Sequence, residues 1–177
     1  MTLRLLAASL ALSLTLPAAA AVAQDPPAEA PAPRQAFTID NGRLTLPAPV
    51  TFETGRDVLT ADAAQVVDFI AAFLADKTYI TTLRLEGHVA RDTPDGQRLS
   101  ERRALALARA LVARGADCKR LLPVGFGDTK PVADSRTAEG RAANTRVEVA
   151  PAALRGHAIG GMPVDGGGLV AGDPCAP

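Results

Sequence analysis

Between residues 35 and 154 the apolar residues switch repeatedly between a period of two and a period near 3.6, and this alternation limits the fold more than any other feature of the chain. Arg43 to Phe52 is extended, with Pro47 and Pro49 keeping at least that part on an edge or outside a ladder. Val66, Phe69, Ile70, Phe73 and Leu74 recur at three- and four-residue steps, which predicts an amphipathic helix from Ala61 to about Ala75 with Thr60 as its cap. Leu83 and Leu85 alternate with Arg84 and Glu86, a half-buried strand running into Gly87-His88. Ser100 caps a second helix with the stripe Ala104, Leu107, Ala108, Leu111 and Val112, and Gly115 ends it. Leu121 to Val124 is a short strand before a turn at Gly125 to Asp128, Thr137 caps a turn of helix, and Val147 and Val149 mark another strand. The order βαβαβ(α)β predicts an α/β sandwich: a mixed sheet with helices packed on one face.

The ends of the chain have a different character. Arg4 precedes an apolar stretch from Leu5 to Leu16, then Pro17 and the small-residue site Ala21-Val22-Ala23. Residues 1–23 are therefore expected to be a cleavable signal peptide, with the mature protein starting at Gln24. The apolar stretch is shorter than the about 20 residues of a spanning helix, so no membrane span is expected after cleavage. No Cys follows Ala23 directly, which excludes lipid attachment there. Residues 24–34 are Pro/Ala-rich and form a linker, whereas 155–177 are Gly-rich without a sustained period and read as a tail held by Cys175. Export places the two cysteines, Cys118 and Cys175, in an oxidising compartment, where they are expected to pair.

Composition removes several classes of function. Nineteen basic and nineteen acidic residues leave no net charge, and aromatics are 3% of the chain with no Trp. Neither a nucleic-acid footprint nor a membrane barrel can be built from this. Two Cys and two His are too few for a structural zinc site, so no metal and no cofactor is expected. Gly125-Phe-Gly-Asp-Thr-Lys130 superficially suggests a phosphate loop, but Pro131 follows and no helix begins there. There is no Gly-x-Ser-x-Gly, no Cys-x-x-Cys and no second His near His88, which points to a protein that is not an enzyme.

A set of motifs adds a resemblance. Val50-Thr-Phe52 with Gly55 and Leu59, Leu83-Arg-Leu-Glu-Gly-His88, Leu99-Ser-Glu-Arg-Arg-Ala104, Val124-Gly-Phe-Gly127 with Pro131, and Thr137 to Asn144 with Arg146-Val147 follow one another in order. Together they resemble the OmpA-like peptidoglycan-binding domain over about Val50 to Val149. The resemblance implies a non-catalytic periplasmic module that ties the outer layers of a Gram-negative envelope to the wall. Its ligand is the diaminopimelate residue of the peptidoglycan stem.

An ammonium and a carboxylate on one carbon call for one acid and one or two Arg, with Arg as the bidentate carboxylate partner. In the family, the acid closes a Gly-His-Thr-Asp motif and an Arg lies in Leu-Ser-x-x-Arg. Further contacts come from an Asn before that helix and from the first Arg of Asn-Arg-Arg-Val. Here the helix Arg is Arg103, and Asn144 and Arg146 keep their places in the last motif. Ala90 stands where the acid is expected, Gly96 where the Asn is expected, and Thr145 in place of the first Arg. The loop from His88 to Leu99 is short for the family, and Asp92 within it is a candidate substitute acid, although Asp92 to Gly96 also fits a solvated turn. His88 is placed to orient the loop from the strand end, and Arg103 has a second reading as a surface partner of Glu101 or Asp92. Losing an acid and an Arg together removes about 3–6 kcal/mol, about 10²–10⁴ in affinity. Two functions follow: peptidoglycan binding with weakened recognition, or a retained fold that binds other envelope proteins.

Overall fold

A computed structural model describes residues 36–176; the expected signal peptide at 1–23 and linker at 24–34 lie outside the described residues. The chain enters through a small hairpin, β1 (Ile39–Asp40) and β2 (Arg43–Leu44), turned by Asn41-Gly42 with positive φ at both residues. Asn-Gly adopts that left-handed pair readily, which makes it a strong hairpin turn. Then follow α1 (Ala63–Asp76), β3 (Ile80–His88), α2 (Gly96–Val112), β4 (Leu121–Gly125), α3 (Ala138–Asn144), β5 (Arg146–Leu154), β6 (His157–Ala158) and β7 (Leu169–Val170).

The main sheet has the order β6-β5-β3-β4-β7. β3 lies at its centre, parallel to β4 and antiparallel to β5, so the sheet is mixed. Val66, Ile70, Phe73 and Leu74 of α1 and Leu107 and Leu111 of α2 bury against Leu83, Leu85 and Val149 of the sheet, each at most 2% exposed. Because strand residues alternate between faces, Arg84, Glu86 and His88 of β3 lie on the opposite side from Leu83 and Leu85. Among the described residues no helix is long and apolar enough to cross a membrane.

Two helix starts differ from expectation, whereas the extended stretch before α1 is as expected. The stretch Arg43 to Phe52 stays outside the main sheet, giving only β2 to the hairpin and one bridge from Phe52 to Leu59, since Pro47 and Pro49 have no N–H to donate. α2 begins at Gly96 rather than after Ser100, because Asp95 turns the chain with a left-handed φ of 49°. Ser100 lies inside the helix, where its hydroxyl donates to Gln97 O at 2.7 Å and accepts from Gly127 N at 3.0 Å. Thr60 likewise does not cap α1 with its side chain; its hydroxyl meets that of Thr51.

Residues 155–176, expected as a Gly-rich tail held by Cys175, belong to the same compact unit as the sheet and are held by strand pairing as well as by the disulfide. Arg155 and Gly156, at φ of 50° and 83°, turn the chain so that β6 pairs with the end of β5, and β7 pairs with β4 at the far edge. An Arg at a left-handed position is not a turn signal, and two-residue strands have no readable period. Cys118 and Cys175 are disulfide-bonded, their Cα atoms 5.2 Å apart.

Candidate ligand-binding site

The site is positioned by how closely α2 lies on the sheet. A Cβ at Gly87 would stand 2.1 Å from Ser100 O, and one at Gly125 would stand 2.8 Å from Glu101 N, so both strands need Gly where the helix crosses them. Arg103 follows Ser100 by nearly one helical turn and is only 7% exposed. Its Nε donates to Arg56 O at 2.8 Å, and its guanidinium carbon lies 5.1 Å from the centre of the Phe52 ring. The loop supplying that carbonyl is closed by Glu53 N donating to Val58 O at 2.8 Å. Burial lowers the Arg103 pKa and the charge of Asp57 opposes it; a guanidinium stays protonated regardless.

Among the described residues, the two Nη groups of Arg103 make no hydrogen bond to the chain. Arg103 lines an open cavity of about 340 Å³ together with Val50, Phe52, Thr145 and Arg146. Neither Glu101 nor Asp92 pairs with it; Glu101 accepts from Gln97 Nε2 at 2.8 Å. A fixed Arg with its fork unbonded is suited to a carboxylate, which it can grip through two parallel hydrogen bonds.

The other residues singled out from sequence do not all gather here. Ala90 is buried, and its N–H donates to Thr145 Oγ1 at 3.2 Å. Asp92, with a left-handed φ of 62°, lines a separate open cavity of about 800 Å³ with Arg91, Asp128 and Asp134, and it does not line the Arg103 cavity. Asn144 is 1% exposed and its amide is fully used: Oδ1 accepts from Val132 N and Ala133 N, and Nδ2 donates to Ala133 O and Ser135 Oγ. It pins the loop before α3 and has no capacity left for a ligand. Arg146 lines the cavity, but its Nε donates to Glu148 Oε1 at 2.7 Å. His88 is 1% exposed and stacks on Phe126 with ring centres 5.2 Å apart, facing Glu86 and Glu148 on the sheet.

Phe52 was read only as part of a motif, and the Arg56 carbonyl and Asp57 escaped the sequence reading. A backbone carbonyl that fixes an Arg side chain 47 positions away leaves no local signal. Glu86 and Glu148, directly opposite each other on β3 and β5, were detectable only as polar members of alternating strands. Burial pushes the Glu86 carboxyl up, but His88, Arg84 and Arg43 outweigh it and hold the pKa at about 2.

A mixed sheet with two long helices on one face defines a class of small α/β domains. The OmpA family model matches residues 51–145, more than half of the chain, and the protein belongs to the OmpA family. Probable lipoprotein YiaD of Escherichia coli (strain K12) is 34% identical over 114 residues, 62% of this chain and 51% of YiaD. The match thus spans about half the length of that curated relative. Among solved structures, the periplasmic domain of Helicobacter pylori MotB superposes with a TM-score of 0.56 at 22% identity, over 64% of this chain and 78% of that one. The cell wall anchor of the T6SS from Pseudomonas aeruginosa gives a TM-score of 0.51 at 30% identity, over 55% and 71%.

Proposed function

We propose that this domain is a non-catalytic envelope module of the periplasm that binds the diaminopimelate-bearing stem of peptidoglycan, with Arg103 gripping the ligand carboxylate. The observation that carries this reading is the state of Arg103: held by the Arg56 carbonyl and the Phe52 ring, with its two Nη groups unbonded beside an open cavity. Family membership and the likeness to a cell wall anchor support the same reading. Ala90 and Thr145 supply no charge for the ligand ammonium or for a second carboxylate contact, so the grip is weaker than an acid and two Arg would give.

Sedimentation of the protein with purified sacculi tests the reading. Wild type cosediments, free diaminopimelate competes, and Arg103→Ala lowers the affinity by about 10- to 150-fold, the worth of a hydrogen bond to a charged group. Equal cosedimentation of Arg103→Ala overturns the proposal. The buried Ala90 at the acid's place favours a second reading, a domain that binds another envelope protein. An absence of sacculus binding in wild type would favour it.

A further inference from the structure

The sheet face away from the two long helices carries a cluster that wall binding does not use. Glu86 and Glu148 are cross-strand partners on β3 and β5, and His88 follows Glu86 on the same face. Neither ring nitrogen of His88 makes a hydrogen bond, although the residue is 1% exposed. Its Nε2 lies 3.6 Å from Glu86 Oε2 and 3.7 Å from Glu148 Oε2, too far to bond either. Both of those oxygens are buried; Glu86 Oε2 lacks a hydrogen bond, and Glu148 Oε2 is met only by the Arg43 guanidinium. Among the described residues, every buried side-chain polar atom without a hydrogen bond belongs to this cluster, the remaining one being Arg43 Nε. Leaving such a group unmatched costs about 1–3 kcal/mol, and concentrating them in one place points to a ligand.

The outer oxygens are fixed. Arg84 Nε and Nη2 each stand 2.6 Å from Glu86 Oε1, and Arg146 Nε stands 2.7 Å from Glu148 Oε1. The two carboxylates are thereby oriented with Oε2 toward His88, as outer-shell partners orient metal ligands. One ligand atom from each of the three residues lies within 4.8 Å of the others. Atoms so spaced can converge on one ion at close to the about 2.0–2.2 Å of zinc bonds to imidazole and carboxylate.

We propose that Glu86, His88 and Glu148 bind one divalent transition-metal ion, with Zn(II) suited to their mixed imidazole–carboxylate set. Arg43 takes the ion's place in its absence. It ion-pairs with Glu148 Oε2, lies 3.7 Å from Glu86 Oε2, and is 42% exposed on the two-residue β2, from which it can swing to solvent. A cavity of about 310 Å³ lined by Arg43, Glu86 and Lys130 borders the cluster on its Glu86 side, with Arg43 between it and Glu148. Arg84, Arg146 and Lys130 already balance the two carboxylates, so the site is moderate in affinity rather than a tight structural one. The bound ion clamps β3 to β5 and takes no part in catalysis.

Calorimetric titration of the EDTA-treated full-length mature protein with zinc chloride tests the assignment. One equivalent binds. His88→Gln and Glu148→Gln each weaken binding by at least about tenfold. Arg43→Ala strengthens it by removing the competing cation, and His157→Gln leaves it unchanged. Absence of binding, binding indifferent to His88→Gln, or binding weakened by Arg43→Ala overturns the proposal. Should His88→Gln fail to fold, as judged by its melting curve, the half-buried Arg43→Ala decides by its sign.

Discussion

Ala90 N–H donates to Thr145 Oγ1 at 3.2 Å, so the two positions at which the motif resemblance leads one to expect an acid and an Arg are in direct contact. A backbone–hydroxyl bond joins them instead of a charged pair. The two departures are therefore one change in the site, and they are expected to act together on affinity.

Ala90→Asp with Thr145→Arg supplies an acid for the ligand ammonium and a second guanidinium for its carboxylate beside Arg103. Sacculus affinity should rise by about 10²–10⁴, corresponding to about 3–6 kcal/mol. Adding Arg103→Ala should abolish most of the gain. A double variant that binds no better than wild type would show that the short loop from Val89 to Asp95, and not the missing charges, limits recognition.

Asp92→Ala should leave sacculus binding within about twofold of wild type, since its side chain borders a cavity that Arg103 does not line and exposed charges contribute little. A loss of tenfold or more in the sedimentation assay would show that the loop moves to bring this acid to the ligand.

Gly87→Ala forces a methyl group into the backbone of Ser100, a contact of 2.1 Å that neither strand nor helix can relieve by a rotamer change. Overpacking of this kind costs about 1–3 kcal/mol. Because Arg103 rides on the same helix, both the urea midpoint and the sacculus affinity should fall. An unchanged midpoint would contradict the close approach of α2 to β3.

The Glu86 carboxyl is held at about 2, well below the ordinary about 4.3 of an unfolded chain. A depressed folded-state pKa contributes stability that is complete above the unfolded value and is lost as pH falls toward the folded one. Denaturant unfolding should therefore lose about 3 kcal/mol between about pH 5 and pH 2 through this group. Glu86→Gln, although destabilised at pH 7, should show a flatter profile across that window; an unaltered slope would exclude Glu86 as the source.

The Cys118–Cys175 bond closes a separation of 57 residues, worth about 4 kcal/mol by loop-closure entropy. It retains the segment that carries β7, whose Gly168 packs against Val124 and Phe126 and whose preceding Val164 carbonyl accepts from Arg84 Nη1 at 2.9 Å. Cys175→Ser should lower the melting temperature and expose the amides of β4 to hydrogen exchange. Sacculus binding should stay near wild type, since neither cysteine lines the Arg103 cavity.

The helices and inner strands were legible because their apolar residues must all reach one core: Ile70, Phe73, Leu83 and Leu107 fall where period alone puts them. The disulfide was legible through the count of two cysteines and the expected export. The 155–177 segment was not, since Arg155 at a left-handed turn and strands of two residues leave no periodic trace. Asn144 looked like a ligand contact because an Asn in a motif does not reveal that its amide is spent on the backbone of Val132 and Ala133. Arg146 and His88 sit on the strands that end at the site, but their side chains turn toward Glu148 and Glu86, a consequence of strand alternation that needs the register of β3 against β5 to be known.

The most direct test is to titrate ¹⁵N-labelled protein with meso-diaminopimelate and follow its amide signals. The account predicts saturable shifts centred on Phe52, Ala90, Arg103 and Thr145, absent in Arg103→Ala. Shifts that cluster elsewhere, or that persist unchanged in Arg103→Ala, would contradict it.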